Sequence, residues 1–266
     1  PLDLPFSLSG TFGEPRNTHF HLGIDIKTQG KEGLEVKSIA PGHISRIRVS
    51  LGGYGKALYV DHNDQTSSVY AHLKKFGPKI EAYIKSIQYE KESYTIQQFP
   101  KKGEFTIAAG EVIGYSGNTG SSSGPHLHFE IRDTESQKPI NPLLFNFPIK
   151  DSQRPQIQQL FLFYPQKNNI LMHSEFVLLN KVNDSTYHTQ TINTSGLVGL
   201  GLRMFDRQDL SYSRNGIYKA RLDINGKTIV RYEFDQLEYF DSEKLFLNVD
   251  YPTFKQKKNK IQKLFF

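Results

Sequence analysis

The chain has 266 residues, enough for two ordinary domains or one large one. Apolar residues make up 37% of it and charged residues 23%, a balance that supports a packed core and excludes wholesale disorder. There is no cysteine, which excludes disulfides, thiolate zinc sites and cysteine nucleophiles; the net charge of +6 favours anionic partners.

Short apolar or alternating runs dominate the first half: Gly23–Ile26, His43–Val49, Ala57–Val60, Ser68–His72, Glu111–Ser116 and His126–Arg132. Turn signals such as Pro41-Gly42, Gly52-Gly53-Tyr54-Gly55 and Gly117 to Pro125 separate them, so the pattern predicts a folded antiparallel sheet. One stretch departs from it. After Pro78, which suits a first helical turn, Ile80, Ile84 and Ile87 fall at i, i+4 and i+7, predicting a short helix within an insertion at about 78–105. Pro148 and Pro155 flank a polar linker, dividing a domain over 1–150 from one over 151–266. Beyond it, Gln159–Tyr164, Glu175–Leu179, Leu197–Phe205, Gly216–Ile224 and Lys227–Phe234 read as strands, with Asn225-Gly226 as a hairpin turn. The fold class expected is mainly β throughout, the second part being an Ig-like β-sandwich open to truncation at its end and dispensable for chemistry. The positive cluster from Lys255 to Lys263 reads as a solvated tail. No Lys/Arg block interleaved with aromatics marks a nucleic-acid track. No apolar run reaches the roughly 18 residues of a membrane span. The start at Pro1 rather than Met reads as a trimmed fragment, its targeting signal removed.

Two motifs carry chemistry. In His126-Leu127-His128 the histidines share one strand face, while Leu127 and Phe129 share the other and enter the core. In His21-Leu22-Gly23-Ile24-Asp25, Ile24 and Ile26 point away from Asp25. An ideal strand would separate His21 from Asp25 by about 13 Å, whereas zinc ligands place donor atoms about 2 Å from the metal. A joint site therefore needs a bend, which Gly23 can supply. Together the motifs offer two histidines and one carboxylate, a set that leaves a zinc ion one position for water. In Val69-Tyr70-Ala71-His72-Leu73, parity places His72 with Tyr70 and opposite Ala71.

The ordered set HxxxD, Tyr-x-His-Leu and Gly-Asn-Thr-Gly-Ser-Ser-Ser-Gly-Pro-His-Leu-His-Phe-Glu resembles the lysostaphin/LytM family of zinc endopeptidases. The flanks Ile39-Ala40-Pro41-Gly42, Gly53-Tyr54-Gly55, Val60-Asp61-His62 and Ile140-Asn141-Pro142 extend the resemblance over roughly residues 8 to 145. It implies a duplicated-hybrid-motif-like sheet, Zn2+ held by His21, Asp25 and His128, and His72 with His126 as the catalytic pair, without saying which is the general base. It further implies a peptidoglycan peptide as substrate and a secreted, periplasmic or cell-envelope location. Asn118 and Thr119 precede the HLH strand, where substrate backbone can be met, and Arg16 is placed to meet a substrate carboxylate. Glu130 and Arg132 share the face of the HLH pair. His19 is read as structural or as a support behind a ligand, His43 and His62 lie next to turns or strand ends, and His173 and His188 lack any partner pattern. Two rival readings stand beside the endopeptidase: a catalytically silent or autoinhibited activator with a regulatory protein partner, and a zinc D-alanyl-D-alanine carboxypeptidase, whose first His–Asp spacing is longer. Oligomeric state is not set by the sequence.

Overall fold

In the computed structural model, which describes residues 1–166, 169–209, 211–238 and 244–265, contacts divide the chain into two compact units. The first comprises Pro1–Ser9 and Leu22–Ile149; the second comprises Gly10–His21 and Lys150–Phe266. The second unit thus includes a segment from near the N-terminus as well as the C-terminal half.

The first unit is mainly β. Its strands are β1 (Leu8–Gly10), β2 (Ile24–Lys27), β3 (Glu35–Lys37), β4 (Gly42–Val49), β5 (Lys56–His62), β6 (Thr66–Ala71), β7 (Lys75–Phe76), β8 (Ile96–Gln98), β9 (Thr106–Ile107), β10 (Val112–Tyr115), β11 (His126–Asp133) and β12 (Pro139–Ile140). The main sheet runs β1-β2-β11-β6-β5-β4-β8, with β12 joined to β11 and β9 to β4; β3, β10 and β7 form a smaller sheet. Alternation along β11 explains its place. Leu127, Phe129 and Ile131 are fully buried among Ile24, Ile26 and Tyr70, each stabilising the fold by about 1.5–3 kcal/mol. The other face of β11 is thereby left for polar side chains. Helix α1 (Pro78–Glu90) has Pro78 in its first turn and buries Ile80 and Ile84, with Ile87 packed at the core edge. The insertion expected at 78–105 is thus this helix followed by β8.

Among the described residues of the second unit, the strands are β13 (Gln156–Gln166), β14 (Asn169–Val177), β15 (Asn180–Asn183), β16 (Thr186–His188), β17 (Gly199–Gln208), β18 (Ser211–Asn215), β19 (Lys219–Ile224), β20 (Lys227–Glu233) and β21 (Ile261–Lys263). They form a five-stranded sheet, β14-β13-β17-β18 with β21 on β17, plus the ribbons β15-β16 and β19-β20. The sandwich expected here takes the form of this one sheet with two hairpins. Asn225 and Gly226 join β19 to β20 with φ of 51° and 79°, the left-handed pair that a two-residue hairpin requires. Two short helices, α2 (Leu245–Asn248) and α3 (Tyr251–Lys257), supply Leu245 and Phe254 to a core with Phe12, Phe20, Phe234 and Val249. The expectation of a solvated tail over Lys255–Lys263 is corrected. α3 ends in this stretch, and Ile261, 1% exposed, pairs with Arg203 of β17, because apolar residues among the lysines tie the segment down.

Candidate metal centre

Sheet register builds the centre. β2 and β11 run antiparallel with His128 directly opposite Asp25 and His126 opposite Lys27. Directly opposed side chains lie on one face, so Asp25 and His128 meet: Asp25 Oδ1 is 2.9 Å from His128 Nδ1 and 3.5 Å from His126 Nε2. His21 precedes β2, which begins only at Ile24, so the backbone is not a regular strand through both motif residues. Gly23 sits in the intervening bend, and it must be glycine. A Cβ there would lie 2.4 Å from the Phe129 carbonyl oxygen and 2.8 Å from Glu130 Cγ. The ligand atoms of His21, Asp25 and His128 all lie within 4.8 Å of one another, and all three residues are buried. His21 Nδ1 donates to the Thr11 carbonyl at 2.9 Å, which makes Nε2 the lone-pair nitrogen of the neutral ring.

His128 also reaches behind the site. Its Nε2 lies 2.8 Å from Glu130 Oε1, and Glu130 Oε2 accepts from Arg132 Nε at 2.7 Å. Tyr54 donates its hydroxyl to Glu130 Oε1, and its ring lies 5.1 Å from that of His128. Burial opposes a charge on His128, but the hydrogen bonds to Asp25 and Glu130 outweigh it and hold the ring up to about 9. Burial likewise opposes ionisation of Glu130, yet the Arg132 guanidinium and His128 hold its carboxyl down to about 2. Burial, and then the Glu130 charge, push the Tyr54 phenol well above its ordinary value. The centre is therefore backed by a buried, mutually satisfied set of charges.

The parity reading of His72 is corrected. β6 ends at Ala71, and His72 follows with φ of +59°, a left-handed residue that breaks the alternation. Tyr70 stays in the core, edge-on to Phe129 at 5.3 Å, while the His72 ring stands 4.8 Å from His126 and 5.8 Å from His128. Its backbone N–H is held by the Tyr54 carbonyl at 2.9 Å and its Nδ1 donates to the Thr119 carbonyl at 2.8 Å. His126 Nδ1 donates to the Gly124 carbonyl at 2.8 Å, with Ser122 Oγ at 3.2 Å. Both rings thus have Nδ1 committed to backbone and Nε2 as their basic nitrogen when neutral. Burial first, then the His128 and His126 charges, push His72 down to about 4.

Other expected residues fall variously. Thr119 accepts the His72 bond on its carbonyl, and its hydroxyl links the Lys56 N–H and the Leu73 carbonyl at 3.0 and 2.9 Å. Gly55, with φ of +63°, leaves room for it, since a Cβ would lie 2.4 Å from Thr119 Oγ1. Asn118 is exposed. Arg16 reaches Glu14 at 3.6 Å. His19 is exposed, and His62 is bound to the Pro41 carbonyl and Ser68 Oγ at 3.0 and 2.8 Å, a packing role. Tyr54 is the site residue that sequence reasoning missed; its only signal was the Gly53-Tyr54-Gly55 flank.

Fold and donor set define a class: a mainly β protein whose histidines and aspartate can hold a metal ion beside two further imidazoles. The profile of Peptidase family M23 matches residues 19–89 and 86–142, so the chain carries a peptidase M23 domain. It is 32% identical over 128 residues to the DD-carboxypeptidase/endopeptidase Mpg of Neisseria meningitidis serogroup B, covering 48% of this chain and 23% of that protein. It is 31% identical over 115 residues to lysostaphin of Staphylococcus simulans, covering 43% of this chain and 18% of that one. It is also 31% identical over 123 residues to the murein hydrolase activator NlpD of Salmonella typhimurium, covering 46% and 25%. The matches thus span about a quarter or less of these curated relatives' length. Among solved structures, the lysostaphin catalytic domain from S. simulans is similar at 26% identity and a TM-score of 0.40, over 53% of this chain and 91% of that one.

Proposed function

We infer that this protein is a zinc-dependent endopeptidase hydrolysing peptide bonds in peptidoglycan stems or cross-bridges. The observation that carries the reading is the convergence of His21, Asp25 and His128 ligand atoms within 4.8 Å with two further histidine rings on the same face. Two nitrogens and one carboxylate oxygen, buried, suit zinc and leave it a position for water. A zinc ion held there supplies Lewis acidity to a water and to the scissile carbonyl. The remaining chemistry belongs to side chains. The Nε2 atoms of His72 and His126 take a proton from the attacking water, stabilise the developing oxyanion, or return a proton to the leaving amine. Their shared tautomer leaves that assignment to kinetics. Glu130, fixed by Arg132 and Tyr54, holds the outer nitrogen of His128 and so sets the ring's orientation toward the ion. The substrate calls for a secreted, periplasmic or cell-envelope location. Among the described residues no helix is long and apolar enough to cross a membrane.

Similarity to NlpD favours a second reading, a silent activator of another wall hydrolase with a protein partner. The complete donor set weighs against it. The test is digestion of purified peptidoglycan sacculi by the zinc-loaded protein, with and without chelator, the products read by mass spectrometry. Chelator-sensitive loss of cross-linked stems is expected. Release of terminal D-alanine alone would make the protein a carboxypeptidase, and intact sacculi with zinc bound would favour the activator.

A further inference from the structure

The loop before β11 reads in sequence as a place for substrate backbone, yet Thr119 within it turns inward. Thr119 is half-buried, and its hydroxyl donates to the Leu73 carbonyl at 2.9 Å and accepts the Lys56 N–H at 3.0 Å. A hydroxyl has one proton to give, so none is left for a substrate carbonyl. The Thr119 carbonyl accepts from Nδ1 of His72 at 2.8 Å. Hydroxyl and carbonyl therefore both serve the turn at His72 and Leu73.

That turn needs holding. β6 has ended at Ala71, and His72 takes a φ of +59°, a region that is costly for any residue with a side chain. One side of the turn is tied by backbone. The His72 N–H donates to the Tyr54 carbonyl at 2.9 Å and the Leu73 N–H to the Lys56 carbonyl at 3.1 Å. Thr119 ties the other side, at the Leu73 carbonyl and at the imidazole itself. Glycines let the loop come this close. A Cβ on Gly117 would lie 2.3 Å from the Lys74 nitrogen, one on Gly120 2.3 Å from the Gly53 carbonyl oxygen, and one on Gly55 2.4 Å from Thr119 Oγ1. Ser121 staples the same approach: its N–H donates to the Gly53 carbonyl at 2.8 Å and its Oγ accepts the Gly53 N–H at 2.9 Å.

We propose that Thr119 is a positioning residue for His72 rather than a substrate contact: its hydroxyl locks the carbonyl that keeps the imidazole protonated on Nδ1 and leaves Nε2 as the basic nitrogen. The part His72 plays in turnover rests on the endopeptidase reading; its attachment to Thr119 does not. His126 supplies an internal reference, because its Nδ1 donates to a different residue of the same loop, the Gly124 carbonyl, at 2.8 Å.

The test combines imidazole nitrogen NMR of the full chain, at about pH 8 where an ordinary histidine is neutral, with steady-state kinetics on soluble cross-linked stem dimers prepared from sacculi. Wild-type His72 is expected as the Nδ1–H tautomer. Thr119→Val removes the hydroxyl at nearly constant volume. It should let His72 populate the Nε2–H tautomer while the His126 signals and the zinc stoichiometry stay as they are. The variant's kcat should fall about 10–100-fold at unaltered KM, the range for a catalytic group that loses its support. Thr119→Ser should restore both tautomer and kcat. An Nε2–H tautomer in the wild-type chain, which needs no variant, would overturn the proposal. So would a raised KM at unaltered kcat, the mark of uniform substrate binding, an unchanged tautomer and turnover in Thr119→Val, or failure of Thr119→Ser to restore them. A wild-type chain that leaves the dimers intact would refute the endopeptidase reading, and the tautomers would still decide the role of Thr119.

Discussion

Around His128, burial and hydrogen bonding go together: Asp25, Glu130, Arg132 and Tyr54 each answer a neighbour, and Glu130 is wholly buried. In the second unit Asn215 is nearly as buried, at 3% exposure, and its amide answers nothing. The first arrangement has its desolvation cost offset inside the fold and is therefore held in one geometry. The second leaves that cost standing. Buried polar atoms alone do not mark a site; what separates the two regions is whether the fold itself completes them.

The largest effects should fall on the metal group. Replacing His21, Asp25 or His128 with Ala is expected to abolish both stoichiometric zinc and turnover, with metal analysis and sacculus digestion as the readouts. Full zinc occupancy in any one variant would remove that residue from the set. His72→Ala and His126→Ala should keep zinc and lower kcat by about 10²–10⁴, the range for a lost acid or base; near-normal turnover in either would end its assignment.

Next in size, Arg132→Ala strands the Glu130 carboxylate in the fold and should lower stability by about 3–5 kcal/mol in urea titration. A loss under about 1 kcal/mol would show that water reaches Glu130. Truncation after Ile149 tests the division of the chain from the other side. It removes Phe234, Leu245 and Val249 from Phe12 and Phe20, which share the segment bearing His21. Zinc affinity is expected to fall about 10–100-fold, as for lost support of a ligand; unchanged affinity in a folded fragment would make the second unit dispensable after all.

The smallest effect lies in the second unit. Burial pushes the Asp206 carboxyl from 3.8 up to about 6, with Asp151 adding to it. A raised folded value means that the protonated form is the better accommodated, so its contribution is full at low pH and is lost as pH rises from about 4 to 6. Asp206→Asn should flatten the melting temperature across that window, and an unaltered pH profile would place the dependence elsewhere.

How much of this was legible follows from where the information lies. The HLH alternation, the helix after Pro78 and the Asn225-Gly226 turn depend on neighbours in sequence, and each was readable there. The bend before Asp25 was also readable, because a straight strand cannot bring His21 and Asp25 together. His72 was misplaced by parity, since nothing local announces a left-handed residue at a strand end. Tyr54 reaches Glu130 only through the sheet. A cavity of the second unit draws on Glu14, Gln158, Arg203, Arg214 and Lys260, remote in sequence, and no motif could have gathered them.

The central claim is the ligand set. Anomalous diffraction at the zinc edge from crystals of the zinc-loaded protein tests it most directly. One peak within bonding distance of a His21 nitrogen, an Asp25 oxygen and His128 Nδ1 is the predicted result. A peak elsewhere, or none at full zinc loading, would contradict the account.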